Sequence, residues 1–186
     1  MSGQPGDPSQ NQGASKVRPP EHLGPHHDLT RFCNGKHSSL DDWLRDIARS
    51  SEGFSARTYV VCLADDPTRV VGYYTISTAS EERIALPTAK LRRGMPTRVP
   101  LLLIGRLAVD QTFQGMGLGT SLLSYALQRC LSVADIAGVR GVIAHAIDDD
   151  AVNFYLRSGF VHCPLGERVM LFTVENLRAL FNPDPT

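Results

Sequence analysis

Residues 114–119 read Gln-Gly-Met-Gly-Leu-Gly and join an apolar run, Leu101 to Val109, to a segment with helical periodicity, Thr120 to Ala134. This order predicts a strand, a glycine turn and the first turn of a helix. The first peptide N–H groups of a helix have no partner within it, and the helix dipole places partial positive charge there. Glycines also let a backbone approach a ligand without Cβ clashes. The stretch therefore predicts a binding site for a phosphate-bearing cofactor.

Two other phosphate-binding loops do not match this stretch. No Gly-Lys-Ser/Thr follows the glycines, as a P-loop requires. The glycines read Gly-x-Gly-x-Gly and no early βαβ unit precedes them, which excludes the dinucleotide fingerprint. An ordinary strand-to-helix turn remains the alternative interpretation of these six residues alone.

A second segment, residues 141–160, strengthens the prediction of a ligand site. Gly141 to Ile147 reads as a buried strand, and the three aspartates that follow suit the positive end of a short helix, which one of them can cap. Gly159 suits the position just past that helix, and Phe160 can pack back onto it. The helix therefore ends in the pattern Phe-Tyr-x-x-x-Gly-Phe.

The Gln-x-x-Gly-x-Gly loop and the Phe-Tyr-x-x-x-Gly-Phe pattern, in this order, resemble two core motifs of the GNAT acetyltransferase superfamily. Early antiparallel strands followed by a β-loop-α-β-α-β unit predict an α/β protein with a mixed sheet and helices on both faces. The resemblance implies the GNAT fold, whose mostly antiparallel sheet splays at the acetyl-CoA site. Acetyl-CoA is then the co-substrate.

Composition predicts one folded domain after a polar tail. Residues 1–21 are rich in Gly, Pro, Ser and Gln and predict a disordered tail without the apolar region of a signal peptide, and residues 22–186 predict the GNAT domain. No apolar run is long enough to cross a bilayer. The cysteines lack Cys-x-x-Cys spacing, so we expect buried free thiols in a reducing cytoplasm and no metal site. The early histidines, His22 and His26-His27, are interpreted as surface residues.

Charge is unevenly distributed although the formal net charge is zero. Residues 83–106 contain six cations and no acid, so the rest of the chain carries about six negative charges. Such a block is either a solvated face or a surface for a polyanion, and without interleaved aromatic residues it gives no sign of base stacking.

The resemblance to GNAT enzymes assigns residues to the coenzyme. The strand that ends at Val109 would pair with the amide-bearing arm of CoA through its free N–H and C=O groups, and one N–H would face the thioester oxygen. Asn153 is similar to a CoA-contacting Asn of the superfamily, or is a simple polar residue of a first helical turn. The implied cofactor-binding residues are Leu107, Ala108, Val109, Gln114, Gly115, Met116, Gly117, Leu118, Gly119, Thr120 and Asn153.

Tyr155 is the candidate general acid, since a tyrosine with a pKa near 10 stays protonated at neutral pH and can donate to a departing thiolate. A packed helix tyrosine is the alternative. A strong general base is not obvious. Glu81 and Glu82 could act through water or be ordinary exposed residues, and His145 is predicted to be an interior histidine of a core strand.

A narrower resemblance concerns the substrate. Residues 28–44, 57–61, 70–74 and 105–110 resemble the bacterial toxin acetyltransferases that are encoded beside ribbon-helix-helix antitoxins. The resemblance implies acetylation of the α-amino group of aminoacyl-tRNA, which blocks translation. It also implies an antitoxin partner, operator DNA contacted only through that antitoxin, and a homodimer. Lys90, Arg92 and Arg93 are the predicted RNA-binding residues, because they lie in a loop-like part of the basic block.

Two other functions are compatible with these motifs. The chain could acetylate a protein N-terminus, a lysine or a small amine, for which an acidic substrate channel would be expected. It could also be a non-catalytic CoA-binding module that works mainly with its antitoxin as a transcriptional co-regulator.

Local patterns give further predictions. Ser38 or Ser39 is expected to cap a helix whose buried face is Leu40, Trp43, Leu44 and Ile47. Thr58 to Ala64 and Arg69 to Thr78 are predicted to form a hairpin, and Glu81 to Arg93 has no clear assignment because Pro87 interrupts a helix.

Overall fold

The computed structural model describes residues 16–181, which form a single mixed sheet flanked by helices. The strands are β1 (Glu21–His22), β2 (Arg57–Cys62), β3 (Val70–Glu82), β4 (Arg98–Val109), β5 (Gly141–His145), β6 (Val161–His162) and β7 (Val169–Thr173). The α-helices are α1 (Ser38–Asp42), α2 (Ala48–Ser51), α3 (Ala89–Arg92), α4 (Leu118–Ala134), α5 (Asp149–Arg157) and α6 (Val174–Phe181). No helix among these is long and apolar enough to cross a membrane.

The sheet has the strand order β1-β2-β3-β4-β5-β7-β6. Every neighbouring pair is antiparallel except β4 and β5, which are parallel and are connected through α4. This arrangement confirms the predicted mixed, mostly antiparallel sheet and its β2–β3 hairpin.

Helix α4 packs on one face of the sheet, which is called the coenzyme face because the predicted acetyl-CoA loop lies at the start of this helix. Its buried stripe has the expected helical spacing and joins the largest apolar cluster. The opposite face carries α1 and α3 above two smaller clusters, around Trp43 and around Leu86, and is called the amine face after the substrate that the resemblance implies. The buried residues of α4 are Leu122, Leu123, Ala126, Leu127, Cys130 and Leu131.

A β-bulge in β4 lies next to the point at which β4 and β5 stop pairing. Thr75 of β3 pairs with Arg106 and Ile76 pairs with Ile104, so Gly105 is the extra residue. A Cβ on Gly105 would lie 3.1 Å from the Thr75 hydroxyl oxygen, and this hydroxyl accepts a hydrogen bond from the Arg106 N–H. Bulges bend a strand and end its pairing. The β4–β5 ladder accordingly stops at Ile104 and its partner Ala144, one residue before the bulge.

The first helix differs from its prediction in both its cap and its buried face. His37 is the N-cap and makes no capping bond through its side chain, while the predicted capping residue Ser38 is already helical. A π-helical segment, Trp43–Ile47, then adds a residue to the turn. The extra residue rotates Ile47 outward to 46% exposure and places Ala48 in the core instead.

The central strands are longer than predicted and the proline-containing segment is partly helical. β3 continues through Glu82, a 3-10 turn spans Arg83–Ala85, and α3 contains Lys90 and Arg92, with Arg93 as its C-cap. The predicted tail covers residues 1–21. Residues 1–15 lie outside the described part, whereas residues 16–21 run along β2, where Arg18 N–H donates to the Cys62 carbonyl.

Candidate active site

A cleft of about 320 Å³ opens where β4 and β5 separate. Beyond the bulge β4 continues alongside β3, while β5 ends at His145, so the two strands leave a gap in the sheet. The cleft is lined by the bulged part of β4, the end of β5, the start of α1 and the inner face of α5. The lining residues are Ser39, Leu40, Gly105, Arg106, Leu107, His145, Ala146, Ile147, Ala151 and Tyr155.

The cleft has a different lining on each face of the sheet. Side chains alternate between faces along a strand. Leu107 packs with the coenzyme-face cluster, which also contains Tyr155 and Ala146. Arg106 stacks on Trp43 of the amine face, and His145 follows Ile143, which also belongs to that face. The gap therefore connects two compartments, one beside α4 and α5 and one beneath α1.

The glycine turn leads directly into α4 beside the coenzyme face. Gly115 and Gly117 have φ angles of +76° and +82°, a left-handed conformation that other residues adopt only with strain. Gly117 is the N-cap of α4 and makes no side-chain capping bond. The first N–H groups of a 17-residue helix are therefore presented at the turn, and Met116 is 69% exposed beside them.

Gln114 fastens the turn to the rest of the domain. Its side-chain amide donates to the carbonyls of Asn34 and Val109, at 2.9 and 3.0 Å. The Asn34 side chain donates to the same Val109 carbonyl at 3.2 Å. The turn thus keeps a fixed position relative to the end of β4, which is what a rigid phosphate site requires.

Beyond the bulge, successive residues of β4 direct their peptide N–H and C=O groups alternately toward β3 and toward the gap. The Asp110 N–H donates to Val71 of β3, so in an antiparallel ladder Ala108 also faces β3 while Leu107 and Val109 face the gap. The structure thereby points the Leu107 and Val109 N–H groups toward the cleft side, where β5 no longer pairs with them.

Tyr155 lies on α5 at the bottom of the cleft and is 6% exposed. Its ring packs against Phe154 and Phe160, with ring centres 5.3 and 5.0 Å away. Burial raises the pKa of the Tyr155 hydroxyl further above its ordinary value near 10. The group is therefore a protonated donor at neutral pH, held by packing rather than by a charge. Asn153 lies two residues earlier on α5 and is exposed.

Asp148 connects α5, on one side of the cleft, with the residues just before α1, on the other side. It is the N-cap of α5, where its side chain accepts from the Ala151 N–H at 2.8 Å. The same carboxylate contacts Lys36 Nζ at 2.7 Å and His37 Nε2 at 2.8 Å, just before α1. The Lys36 contact, followed by the helix N–H, holds the pKa of Asp148 well below its usual range. Hydrogen bonds to Asp148 and then to Asp150 raise the pKa of Lys36 to about 12. The acid run was predicted to cap this helix, and this is confirmed.

Two cleft residues were missed or misjudged from the sequence. His145 is exposed in the cleft and is not the interior histidine that its apolar neighbours predicted, because β5 ends just where β4 bends away. Arg106 was counted only as one cation of the basic block. The alternation signal was present in the strand pattern, but the bulge at Gly105 changes which face Arg106 occupies.

The predicted RNA-binding residues do not share one surface. Lys90 and Arg93 line a groove of about 620 Å³ with Arg140 and Arg178. Arg92 turns to another side, where it is half-buried and its Nε donates to the Leu86 carbonyl at 2.7 Å.

One acid–histidine–thiol group lies away from the cleft, and it also corrects a prediction. His27 is 2% exposed rather than a surface residue, and its Nε2 lies within 4.8 Å of ligand atoms of Glu21 and Cys62. Its Nδ1 accepts from the Gly24 N–H at 2.9 Å, which leaves the ring proton on Nε2. A protonated nitrogen has no lone pair for a metal, so this geometry fits a buried neutral histidine. Burial, then the neighbouring His26, lowers the pKa of His27 accordingly.

The bulged strand, the gap beside it and the glycine turn define an N-acetyltransferase of the kind that holds its coenzyme between splayed parallel strands. The chain matches the Acetyltransferase (GNAT) family over residues 25–160 and belongs to that family.

Comparison with individual relatives points to a narrower group within this family. The chain is 37% identical over 163 residues to a tRNA-acetylating toxin of Mycobacterium tuberculosis, which covers 87% of this chain and 95% of the relative. The solved structure of AtaT complexed with acetyl-methionyl-tRNAfMet superposes with a TM-score of 0.82 at 28% identity, over 89% of this chain and 99% of AtaT. A tyrosine-to-phenylalanine mutant of KacT gives the same TM-score at 27% identity, over the same shares of the two chains. These relatives confirm the predicted resemblance to toxin acetyltransferases.

Proposed function

We propose that this protein is a toxin that transfers an acetyl group from acetyl-CoA to the α-amino group of aminoacyl-tRNA and thereby blocks translation. Aminoacyl-tRNA is proposed as the substrate because of the sequence identity to the tRNA-acetylating toxin, which extends over nearly the whole of that relative. The cleft supports the chemistry, because it connects a coenzyme compartment with a second compartment that an amine can enter.

The coenzyme compartment fits the phosphates and the amide-bearing arm of acetyl-CoA. A Cβ on Gly115 or Gly117 would meet nothing within 4 Å, so the turn faces open space. The backbone of residues 114–120 would hold the diphosphate at the start of α4. Leu107 and Val109 would bind the arm through peptide N–H groups, with Ala108 keeping β4 on β3, and Asn153 would contact the arm from α5.

Acetyl-CoA supplies the activated thioester, and this chain supplies position and protons. A peptide N–H at the gap is a donor for the oxygen on which negative charge develops. The Tyr155 hydroxyl carries the proton that the leaving thiolate needs, because burial raises its pKa and keeps the group protonated at neutral pH.

The amine compartment suits a substrate that loses its proton easily. An α-amino group has a pKa near 8, so an appreciable fraction is neutral at cytoplasmic pH, unlike a lysine with a pKa near 10.4.

The four free cysteines, three of them buried, are compatible with the cytoplasmic location that is part of this proposal.

The part of the basic block that precedes the cleft, residues 83–98, is called the basic segment and lies at the far end of β4 from the cleft. Gly105 and Arg98 are seven residues apart on one strand, a span of about 24 Å at roughly 3.4 Å per residue. A single-stranded end of a few nucleotides could cross that distance, with the reactive amine in the cleft and the duplex near Lys90 and Arg93. Arg92, which is half-buried and lines a neighbouring surface opening, completes the proposed RNA-contacting set.

Partners of related proteins suggest how the toxin is controlled. AtaT has been solved with acetyl-CoA and the C-terminus of the antitoxin AtaR, and KacT has been solved with KacA and DNA. We extend this to a ribbon-helix-helix antitoxin for the present chain, with operator DNA reached only through that partner, and to a homodimer.

The proposal is tested by offering labelled acetyl-CoA to aminoacyl-tRNA, deacylated tRNA and a panel of peptides and small amines in parallel. We expect label on the charged tRNA alone, released as the N-acetyl-amino acid when mild base hydrolyses its ester bond to the tRNA. Label on peptides or small amines instead would overturn the substrate assignment while leaving the acetyltransferase assignment intact.

A further inference from the structure

Arg106 is a half-buried cation on the amine side of the cleft with no acidic partner. Its guanidinium carbon lies 4.2 Å above the centre of the Trp43 ring, and Trp43 is 7% exposed. Among residues 16–181, no carboxylate oxygen lies within 4.0 Å of the Arg106 side chain, whereas Lys36 and Arg168 near the cleft are each paired with an aspartate. Burial lowers the pKa of its guanidinium, which nevertheless stays charged at neutral pH.

The surroundings of Arg106 hold it in place without neutralising it. Trp43 is itself fixed by stacking on Tyr73, and the Tyr73 hydroxyl donates to the Leu40 carbonyl of α1 at 2.8 Å. The bulge at Gly105 sets the direction of the side chain. A desolvated charge without a counter-charge costs free energy. A ligand that brings the missing anion recovers that cost on binding.

We propose that Arg106 binds the phosphodiester of the terminal nucleotide of aminoacyl-tRNA and so sets the α-amino group at the gap in the sheet. The inference rests on the proposed function, and it adds a substrate contact inside the cleft that is separate from the distant basic segment. A guanidinium fork bonds two phosphate oxygens at once, which fixes orientation as well as binding. The stack on Trp43 leaves the edge of the fork free for this contact.

Three features of the amine side of the cleft are compatible with a phosphodiester bound beside the amine. The amine-side residues at the cleft mouth are Ser39, Leu40, Arg106 and His145, and none of them is acidic. His145 is exposed beside the gap and can donate to a second oxygen when its ring is suitably oriented. The opening lies under α1, so a chain that enters there continues toward the surface instead of ending inside.

The decisive experiment removes the phosphate and the cation separately and together. An aminoacyl-oligonucleotide ending in CCA carries the terminal phosphodiester, and the matching aminoacyl-adenosine lacks it but offers the same amine and ester. We expect Arg106→Gln to lower kcat/KM for the oligonucleotide roughly ten- to hundredfold and for the adenosine less than about twofold. Acetyl-CoA affinity and melting temperature should stay at the wild-type values, and exposed Arg31→Gln, which carries the same charge change, should leave both substrates unaffected.

The outcomes separate this inference from the function on which it rests. If the wild-type enzyme acetylates the oligonucleotide and Arg106→Gln slows both substrates equally, Arg106 does not contact the phosphate and only the inference fails. If the wild-type enzyme acetylates neither these two substrates nor full-length aminoacyl-tRNA, the proposed function itself fails. Should Arg106→Gln not fold, Arg106→Lys keeps the charge but loses the fork, and we expect the preference for the oligonucleotide to fall several-fold. An unchanged preference in a folded Arg106→Lys enzyme would overturn the proposal.

Discussion

The two compartments of the cleft are built from different parts of the polypeptide. On the coenzyme face the proposed binding groups are mainly peptide N–H groups, from residues 114–120 and from the free edge of β4. On the amine face the proposed binding groups are side chains, from α1, β4 and β5, which meet only after the sheet has formed. A site built from peptide groups depends less on the identity of its side chains than a side-chain site, which can change its substrate by substitution. We infer that coenzyme and substrate specificity can vary independently in this fold.

The largest effect on catalysis is expected at Tyr155. Its side chain supplies the proposed proton donor in a compartment that otherwise consists mainly of peptide groups. Tyr155→Phe removes the proton donor but keeps the ring that packs against Phe154 and Phe160. We expect kcat to fall about 10²- to 10⁴-fold, as general acid catalysis contributes, with acetyl-CoA affinity unchanged within about twofold. Steady-state kinetics and calorimetry measure the two quantities. Tyr125→Phe, the same change at a 40% exposed position of α4, is the control. Unchanged turnover in Tyr155→Phe would show that the proton comes from elsewhere.

The glycine turn offers a test of whether coenzyme binding is a property of the backbone. Gly117→Ala places a side chain at a φ of +82°, and we expect it to lower the free energy of unfolding by about 1–2 kcal/mol. Gly119 has ordinary helical geometry, and a Cβ there would lie 3.8 Å from Phe154 and Val109. Gly119→Ala should therefore fold normally.

The added methyl group of Gly119→Ala would nevertheless lie in the first turn of α4, where we propose that the diphosphate binds. We expect acetyl-CoA affinity to weaken about tenfold, which corresponds to roughly 1.4 kcal/mol. Thermal melting and calorimetry on the two variants separate folding from binding. Wild-type affinity in a folded Gly119→Ala protein would place the diphosphate away from the start of α4.

Sequence patterns predicted the coenzyme compartment because its elements are local. The glycine turn, the stripe of α4 and the capped α5 each depend on residues within a few turns of one another, and all three occur as expected. The amine compartment depends on two irregularities that no short pattern encodes. The bulge at Gly105 decides the face of Arg106, and the π-helical segment decides that Ala48 rather than Ile47 is buried. His145 was misjudged for a related reason, since its exposure depends on where β4 leaves β5.

Asp148 connects the two compartments, and its two roles can be separated. Asp148→Asn keeps an N-cap side chain for α5 but loses the ionic contact with Lys36, whereas Asp148→Ala loses both the cap and the ionic contact. Because Asn and Asp cap helices about equally well, we expect Asp148→Ala to be less stable than Asp148→Asn by about 1 kcal/mol. Denaturant unfolding at neutral pH measures this difference.

The pH dependence of the Asp148 contribution has a defined sign. The folded-state pKa of Asp148 lies below its unfolded value of 3.8, so its stabilising effect is complete above that value and is lost as the pH falls through the lower pKa. The stability difference between wild type and Asp148→Asn should be constant from neutral pH to about pH 5 and should shrink below about pH 4. A difference that is constant down to pH 3 would mean that Lys36 does not hold this carboxylate in solution.

The smallest effect is expected in the basic segment, which lies outside both compartments. Each phosphate contact that is lost reduces the dependence of log K on log salt by about one unit, with a modest loss of affinity. Arg93 is exposed beside Lys90 in the larger groove, while Arg92 already donates to the Leu86 carbonyl. We therefore expect Arg93→Gln to reduce the salt dependence of tRNA binding more than Arg92→Gln does, with acetyl-CoA affinity unchanged in both. Filter binding at several salt concentrations gives the slopes. Equal slopes for both variants and the wild type would place the RNA duplex on another surface, and the contact at Arg106 would then have to carry RNA recognition without help from this end of β4.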